Sequence, residues 1–360
     1  MKTKKIIFTV GQLGNGGLER QLYYLTKDLI LNKIDVSCVC WNLEEDSFYF
    51  EKFKNLLKDD LYILDQSQKS LKKVLSLRKI IKKTNPDIVI SFTSFVNAAT
   101  FLSTLGLRCD VIGSLRTSAD RYIKDGGLKS FFNILFPRKI LVNSRVAKKE
   151  LEKKLIFRCF SKIQFYGNSV DLKKFSLTDQ NIFKEYSISV GNIREAKRID
   201  RLILLFNKLR EINLEVKHIH VGGGKDFEKI KQQISNNNLE KHVILIGQNS
   251  NILKIAEKAS MLLHFSEYEG SPNVIMEAMC MGLPIITTNC GDAKYFIENE
   301  KNGFVIDPFD VNIFAEKYIF LHNNKSKREQ IGRENMRLIK SFDIDQLGNK
   351  FLDSISKFNI

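Results

Sequence analysis

HFSEYEGSPNVIMEAMCMGLPIITTN, residues 264–289, changes its hydrophobic pattern twice. An apolar strand runs to Ser266, and a polar loop, EYEGSP, follows. Pro272 then stands where a helix can begin, because the first turn makes no use of the missing N–H. The pattern predicts a helix from about Asn273 to Met281, stopped by Gly282, and a second strand from Pro284 to Asn289. Such a strand–loop–helix–strand unit aims backbone N–H groups of residues 272–275 and a positive helix end at the C-terminal edge of a sheet. That is a setting for phosphate. Glu269 precedes the helix, and Glu277 lies about one turn inside it.

Outward from this unit, short β-rich runs alternate with helical patterns almost from end to end, the signature of parallel sheets with crossover helices. In the first half the strand candidates are KIIFTV (5–10), DVSCVCW (35–41), LYILD (61–65), DIVISF (87–92), VIGSLR (111–116) and KILVNS (139–144). In the second they are ISVGN (188–192), VKHIHVG (216–222), HVILIG (242–247), MLLHFS (261–266), PIITTN (284–289) and GFVID (303–307). Helical stretches such as residues 17–33, 198–212 and 251–260 lie between them. Twelve strands exceed one doubly wound domain of usual size, so two Rossmann-like halves are expected. The polar interruption at residues 171–181 sets the expected domains: 1–176, 177–340, and a C-terminal helix over 341–360 that packs back towards the first.

Composition narrows the classes. The chain is 43% hydrophobic with 5 Pro, and no run of 18 apolar residues occurs, which excludes disorder, collagen and a membrane-spanning helix. The apolar part of MKTKKIIFTV, Ile6 to Val10, is short for a signal peptide, so it is expected to be a cytoplasmic first strand. Six cysteines form no C-x-x-C pair, and reduced, buried thiols are expected. The net charge of +16 is concentrated: residues 1–180 hold 32 Lys+Arg against 18 Asp+Glu, and the remainder 25 against 23. The first half should therefore face something anionic: nucleic acid, lipid head groups or a phosphorylated substrate. Two basic stretches, residues 69–83 (with Leu71, Val74, Leu75 and Ile81 near one face) and 127–139, suit a bilayer surface or an ordinary sheet-covering role.

Carboxylates beside a phosphate site are repelled by it, so the expected partners of Glu269 and Glu277 are sugar hydroxyls. Together the two signals point to a nucleotide sugar. The segment resembles the donor-site motif of retaining glycosyltransferases of family 4, and the resemblance continues along the chain. GQLGNGGLERQLYYLTKDL (11–29) is similar to the family's glycine-rich first loop and helix. ILVNSRVAKKEL (140–151) and YGNSVDLKKF (166–175) are similar to its late N-domain elements and interdomain entry. ISVGNIREAKRIDRLI (188–203) resembles its diphosphate-binding loop, and VGGGKDFEKIKQQI (221–234) the strand and loop that follow.

The resemblance implies an α/β GT-B fold, two Rossmann-like domains facing across a deep cleft. It implies metal-independent sugar transfer from a nucleotide-diphosphate sugar to a glycan or lipid-linked acceptor, in bacterial capsule, O-antigen or exopolysaccharide synthesis at the inner face of the plasma membrane. No cofactor beyond the co-substrate is expected. Carried over, Arg194 and Lys197 hold the donor diphosphate, Glu277 the ribose, and Glu269 the transferred sugar as a catalytic contact. Gly16 and Gly17 approach the donor from the first domain, and Ser271, Pro272, Asn273 and Val274 complete the anion site, Pro272 without an N–H. Two departures stand out. Asn192 occupies the place of a common arginine, and all five histidines lie in the second half, leaving Arg116 near the position of the family's N-domain histidine as a sugar or acceptor contact.

Rival classes have weaker support. Asp343 and Asp345 have metal-site spacing, but they precede a helical stretch, where capping is the expected role. GQLGNGG lacks the order G-x-G-x-x-G, and no P-loop is present. A sugar-nucleotide epimerase on the same fold and a basic nucleic-acid-binding protein remain as alternatives.

Overall fold

The computed structural model describes residues 4–43, 47–176, 185–249, 251–345 and 347–359. Two compact units are present: Met1–Asn168 with Ile344–Ile360, and Ser169–Asp343. The expected boundary after residue 176 falls against residues 177–184, outside the described residues.

The first unit is built on β1 (Lys5–Val10), β2 (Asp35–Cys40), β3 (Leu61–Ile63), β4 (Ile88–Ser91), β5 (Asp110–Leu115), β6 (Lys139–Val142) and β7 (Lys162–Phe165), in the order β3-β2-β1-β4-β5-β6-β7. All neighbours are parallel, with Lys5 opposite Asp35 and Ile6 opposite Ile88 setting the central register. Residues Ile6, Phe8 and Val10 point to one face and meet helix Gly17–Leu31 through Leu22, Leu25 and Leu29. Helix Leu347–Ser356 closes the same core with Phe351 and Ile355, and Asp28 accepts a hydrogen bond from the Gly348 N–H at 2.6 Å.

Sequence periodicity missed β7. KIQF has only two apolar residues, and it sits at the sheet edge with β6 as its one partner. Helix Ser70–Thr84 also differs from expectation. Leu77 and Ile81 are buried against the sheet, whereas Leu71 and Leu75 are 75% and 55% exposed. In helix Ala119–Leu135, Ile134 is buried and Leu128 is 75% exposed. Cys38, Cys40, Cys280 and Cys290 are buried, but Cys159 is exposed and Cys109 half-buried, so the expectation of buried thiols holds for four of six.

The second unit carries β8 (Tyr186–Val190), β9 (His218–Val221), β10 (Val243–Leu245), β11 (Ala259–His264), β12 (Ile285–Thr288) and β13 (Phe304–Ile306), ordered β10-β9-β8-β11-β12-β13 and again all parallel. Phe206, Met261, Leu263, Phe265, Phe314 and Tyr318 fill one face of this sheet, and Leu262, Ile275, Met279 and Ile285 the other. The order reverses between β8 and β11, and in parallel α/β sheets ligands gather at such switch points, beyond the strand C-termini. Asp343 stands at the C-terminal end of the turn Lys340–Phe342 and forms a backbone bridge with Val170. No helix among the described residues is long and apolar enough to cross a membrane.

Candidate active site

β8 and β11 are neighbours in the sheet, so the loops after them are neighbours too. After β8 the chain passes through Arg194 into a single tight turn, Glu195–Lys197, and leaves it at Arg198 with a left-handed φ of 47°. After β11 it runs through Ser266 and Glu269 to helix Asn273–Cys280. Several bonds sew the two loops together. The Glu267 N–H donates to the Ala196 carbonyl at 2.9 Å, Arg198 pairs with Glu267 at 2.9 Å while gripping Asp200, and Arg201 donates to the Phe265 carbonyl at 2.9 Å.

Within that frame the Lys197 ammonium meets Glu269 Oε1 as an ion pair, with 17% and 15% of the two side chains exposed. Ser266 Oγ donates to the same oxygen at 2.9 Å. His264 Nε2 stands 3.7 Å from it and 3.1 Å from Ser266 Oγ, and His264 Nδ1 lies 2.9 Å from Thr287 Oγ1 on β12. Among the described residues, Glu269 Oε2 accepts no hydrogen bond. Burial alone would raise the Glu269 carboxyl, but the Lys197 ammonium and the His264 hydrogen bond outweigh it and hold the group well below the usual carboxylate range. Burial pushes His264 down; the Glu269 hydrogen bond opposes this in part, and Lys197 adds to it. The resulting state is an ionised carboxylate beside a neutral imidazole.

The helix begins where the sequence predicted. Pro272 caps it in extended conformation, and Asn273 is its first residue. One amide of the expected 272–275 set is already used, since the Ile275 N–H donates to the Pro272 carbonyl at 3.2 Å. Ser271, Pro272 and Glu277 are buried, while Asn273 and Val274 are half-buried. Arg194 is exposed and makes no ion pair among the described residues. Thus Lys197 and Glu269 are brought into contact, with Arg194 three residues ahead of Lys197 and Ser271–Val274 beginning two residues after Glu269.

Gly16, Gly17 and Arg116 belong to the first unit. Gly16 precedes helix Gly17–Leu31, and a Cβ added to it would stand 2.5 Å from Glu19 Oε2. Arg116 follows β5 with its guanidinium 3.5 Å from the centre of the Phe92 ring and its Nε buried without a hydrogen-bond partner among the described residues. Burial pushes it down to about 9, with Tyr166 opposing.

Sequence reasoning missed His264, Ser266, Arg198 and Glu267. One signal was available: His264 and Ser266 alternate at the end of a strand, sharing a face three residues ahead of Glu269.

Two family models match the chain consecutively. The model described as Glycosyltransferase Family 4 covers residues 15–174, and the one described as Glycosyl transferases group 1 covers residues 176–337. An uncharacterized glycosyltransferase of Haemophilus influenzae is 23% identical over 96% of this chain and 98% of its own. The Campylobacter jejuni GalNAc-alpha-(1->4)-GalNAc-alpha-(1->3)-diNAcBac-PP-undecaprenol alpha-1,4-N-acetyl-D-galactosaminyltransferase is 23% identical over 98% of both chains. Among solved structures, Anabaena HepE in complex with UDP-glucose aligns with a TM-score of 0.82 at 17% identity, over 98% of this chain and 99% of that one, a likeness of fold.

Proposed function

Because the chain belongs to glycosyltransferase family 4 and has the two-domain GT-B fold, we propose that it is a retaining, metal-independent glycosyltransferase that moves a sugar from a nucleotide-diphosphate donor to a glycan or lipid-linked acceptor of a bacterial surface polysaccharide. The observation that carries this proposal is the Lys197–Glu269 pair, positioned just before the N-terminus of helix Asn273–Cys280. It puts a cation, a helix end and a carboxylate with one uncommitted oxygen in one place. The diphosphate needs the first two, and a sugar hydroxyl can donate to the third. The relatives act as glycosyltransferases, and one of them takes a polyprenyl-diphosphate-linked acceptor by name. Neither an epimerase nor a nucleic-acid-binding protein finds support there.

In this mechanism Lys197 gives one N–H to Glu269 and keeps others for the leaving diphosphate. Arg194 and the amides of the first helical turn share the charge that develops as the anomeric C–O bond breaks. Glu269 Oε2 accepts from the transferred sugar, and Glu277 from the ribose. The acceptor hydroxyl attacks on the face from which the diphosphate leaves and passes its proton to the leaving phosphate oxygen. Gly16 and Gly17 bind the donor, and Arg116 contacts the sugar or the acceptor. A peripheral membrane contact is supported by Leu71, Leu75 and Leu128, exposed among Lys72, Lys79, Lys82, Lys83, Lys124 and Lys129.

The test is a nucleotide-sugar screen by thermal shift, followed by a transfer assay. A true donor at 100 times its dissociation constant stabilises by about 2.7 kcal/mol. If no activated sugar shifts the transition, the proposal fails.

A further inference from the structure

Four hydrogen bonds run in one line beneath the loop that carries Arg194 and Lys197. Ser187 Oγ lies 2.9 Å from His218 Nδ1, and Ser189 Oγ lies 2.7 Å from both His218 Nε2 and His220 Nδ1. His220 Nε2 ends the line 3.0 Å from the Gly191 carbonyl oxygen. The register explains the alignment: on the neighbouring strands β8 and β9, Ser187 pairs with His218 and Ser189 with His220, so all four side chains share one face. All four are essentially inaccessible.

The last partner sets the proton order. A carbonyl can only accept, so His220 Nε2 carries a hydrogen and His220 Nδ1 accepts from Ser189. Ser189 has then spent its one hydrogen, so it accepts from His218 Nε2–H, and His218 Nδ1 accepts from Ser187, whose Oγ lies 2.9 Å from that nitrogen and 3.4 Å from the Lys217 carbonyl oxygen. Both imidazoles are then neutral Nε2–H tautomers. Burial favours the uncharged rings.

Gly191 is held from the other directions by backbone. Its N–H donates to Val221 at 2.9 Å, and the Ile193 N–H to Gly223 at 2.6 Å. The glycine run makes this approach feasible. A Cβ on Gly222, at φ 149°, would stand 2.0 Å from the Gly191 oxygen, and one on Gly224, at φ 134°, 2.4 Å from the Ile193 oxygen. The Lys197 stem crosses directly over Gly191, where an added Cβ would touch Lys197 Cε at 3.5 Å.

We propose that His220 is a positioning residue of the donor site. By donating to Gly191 it fixes the peptide over which Lys197 lies, and Ser189, His218 and Ser187 hold His220 in the one tautomer that can donate. The proposal rests on Lys197 binding the donor diphosphate.

The experiment has two arms. In the wild-type protein, nitrogen-15 NMR of the histidine side chains should show His220 and His218 protonated at Nε2; a hydrogen on His220 Nδ1 overturns the proposal. In the second arm, calorimetry with UDP, and with GDP as a second probe, compares His220→Leu with His220→Gln, whose amide can still reach Gly191. Affinity should fall about tenfold in the Leu variant, the scale of one lost hydrogen bond, and recover to within about threefold in the Gln variant. A folded Leu variant that binds as tightly as wild type overturns the proposal, as does a Gln variant as weak as Leu. If the Leu variant does not fold, the tautomer decides. Wild-type protein that binds neither nucleotide, with the tautomers as stated, sinks the donor-site assignment and leaves the hydrogen-bond order standing.

Discussion

Lys197 and Glu269, 72 residues apart in sequence, form an ion pair in which each side chain keeps only about a sixth of its surface accessible. Neither residue can be removed without leaving the other's charge poorly solvated. The roles proposed for them separately, diphosphate and sugar, are therefore proposed for one coupled pair.

Lys197→Met should lower turnover by about two to three powers of ten, as expected for a lost donor to a developing anion. Glu269→Gln should also reduce turnover, and the double variant should lose less than the two single losses combined, because the partners are coupled. Steady-state kinetics on all three variants checks this. Strict additivity would mean the pair does not act jointly.

Glu277→Gln should weaken donor binding by about tenfold to a hundredfold, the range for a hydrogen bond to a charged group, with a smaller change in turnover. The donor KM and kcat, measured separately, decide it. A change confined to kcat would remove Glu277 from ribose binding.

Acid should destabilise the second unit before carboxylates titrate. His218, His220 and His264 are all shifted down, His220 to about 4, whereas unfolded histidine takes its proton near about 6.5. Between these values the unfolded chain binds more protons, so stability is full above pH 6.5 and falls as pH drops through the window, levelling off once the folded rings are protonated. Glu269 acts in the same direction lower down: its folded value lies below the unfolded one, so its contribution is lost as pH falls through the folded value. Denaturant unfolding across pH 7.5 to 4.5 measures the slope, and a flat profile would contradict the neutral assignment of the rings.

Leu71→Glu with Leu75→Glu should abolish sedimentation with anionic vesicles while changing stability by less than about 1 kcal/mol, since both side chains are exposed. Raising salt should weaken wild-type association in the same assay. Binding unchanged by the double substitution would place any membrane contact elsewhere.

Much of the architecture was legible because parallel strands buried on both faces write themselves as short β-branched runs. Twelve of the strands appear that way, and the start at Asn273 and the stop before Gly282 follow from Pro272 and from glycine's conformational range. KIQF escaped because an edge strand with polar alternate residues resembles a loop. Helix Ser70–Thr84 was ambiguous for another reason. Leu71 and Leu75 form one i, i+4 stripe and Leu77 and Ile81 another, and only the neighbouring sheet determines which is buried.

From the residues alone come the two α/β units, the charged first half, and a helix start expected to suit phosphate, with Glu269 before it and Glu277 inside it. Tertiary structure alone decided that Lys197 answers Glu269, that Arg198 ties Ala196's loop to Glu267, and that His220 ends its polar line on Gly191. Hydrophobic period and helix capping act over a few residues and are written locally. Which ammonium meets which carboxylate depends on strand order and register across 30 to 70 residues of chain, and that is fixed only when the sheet has formed.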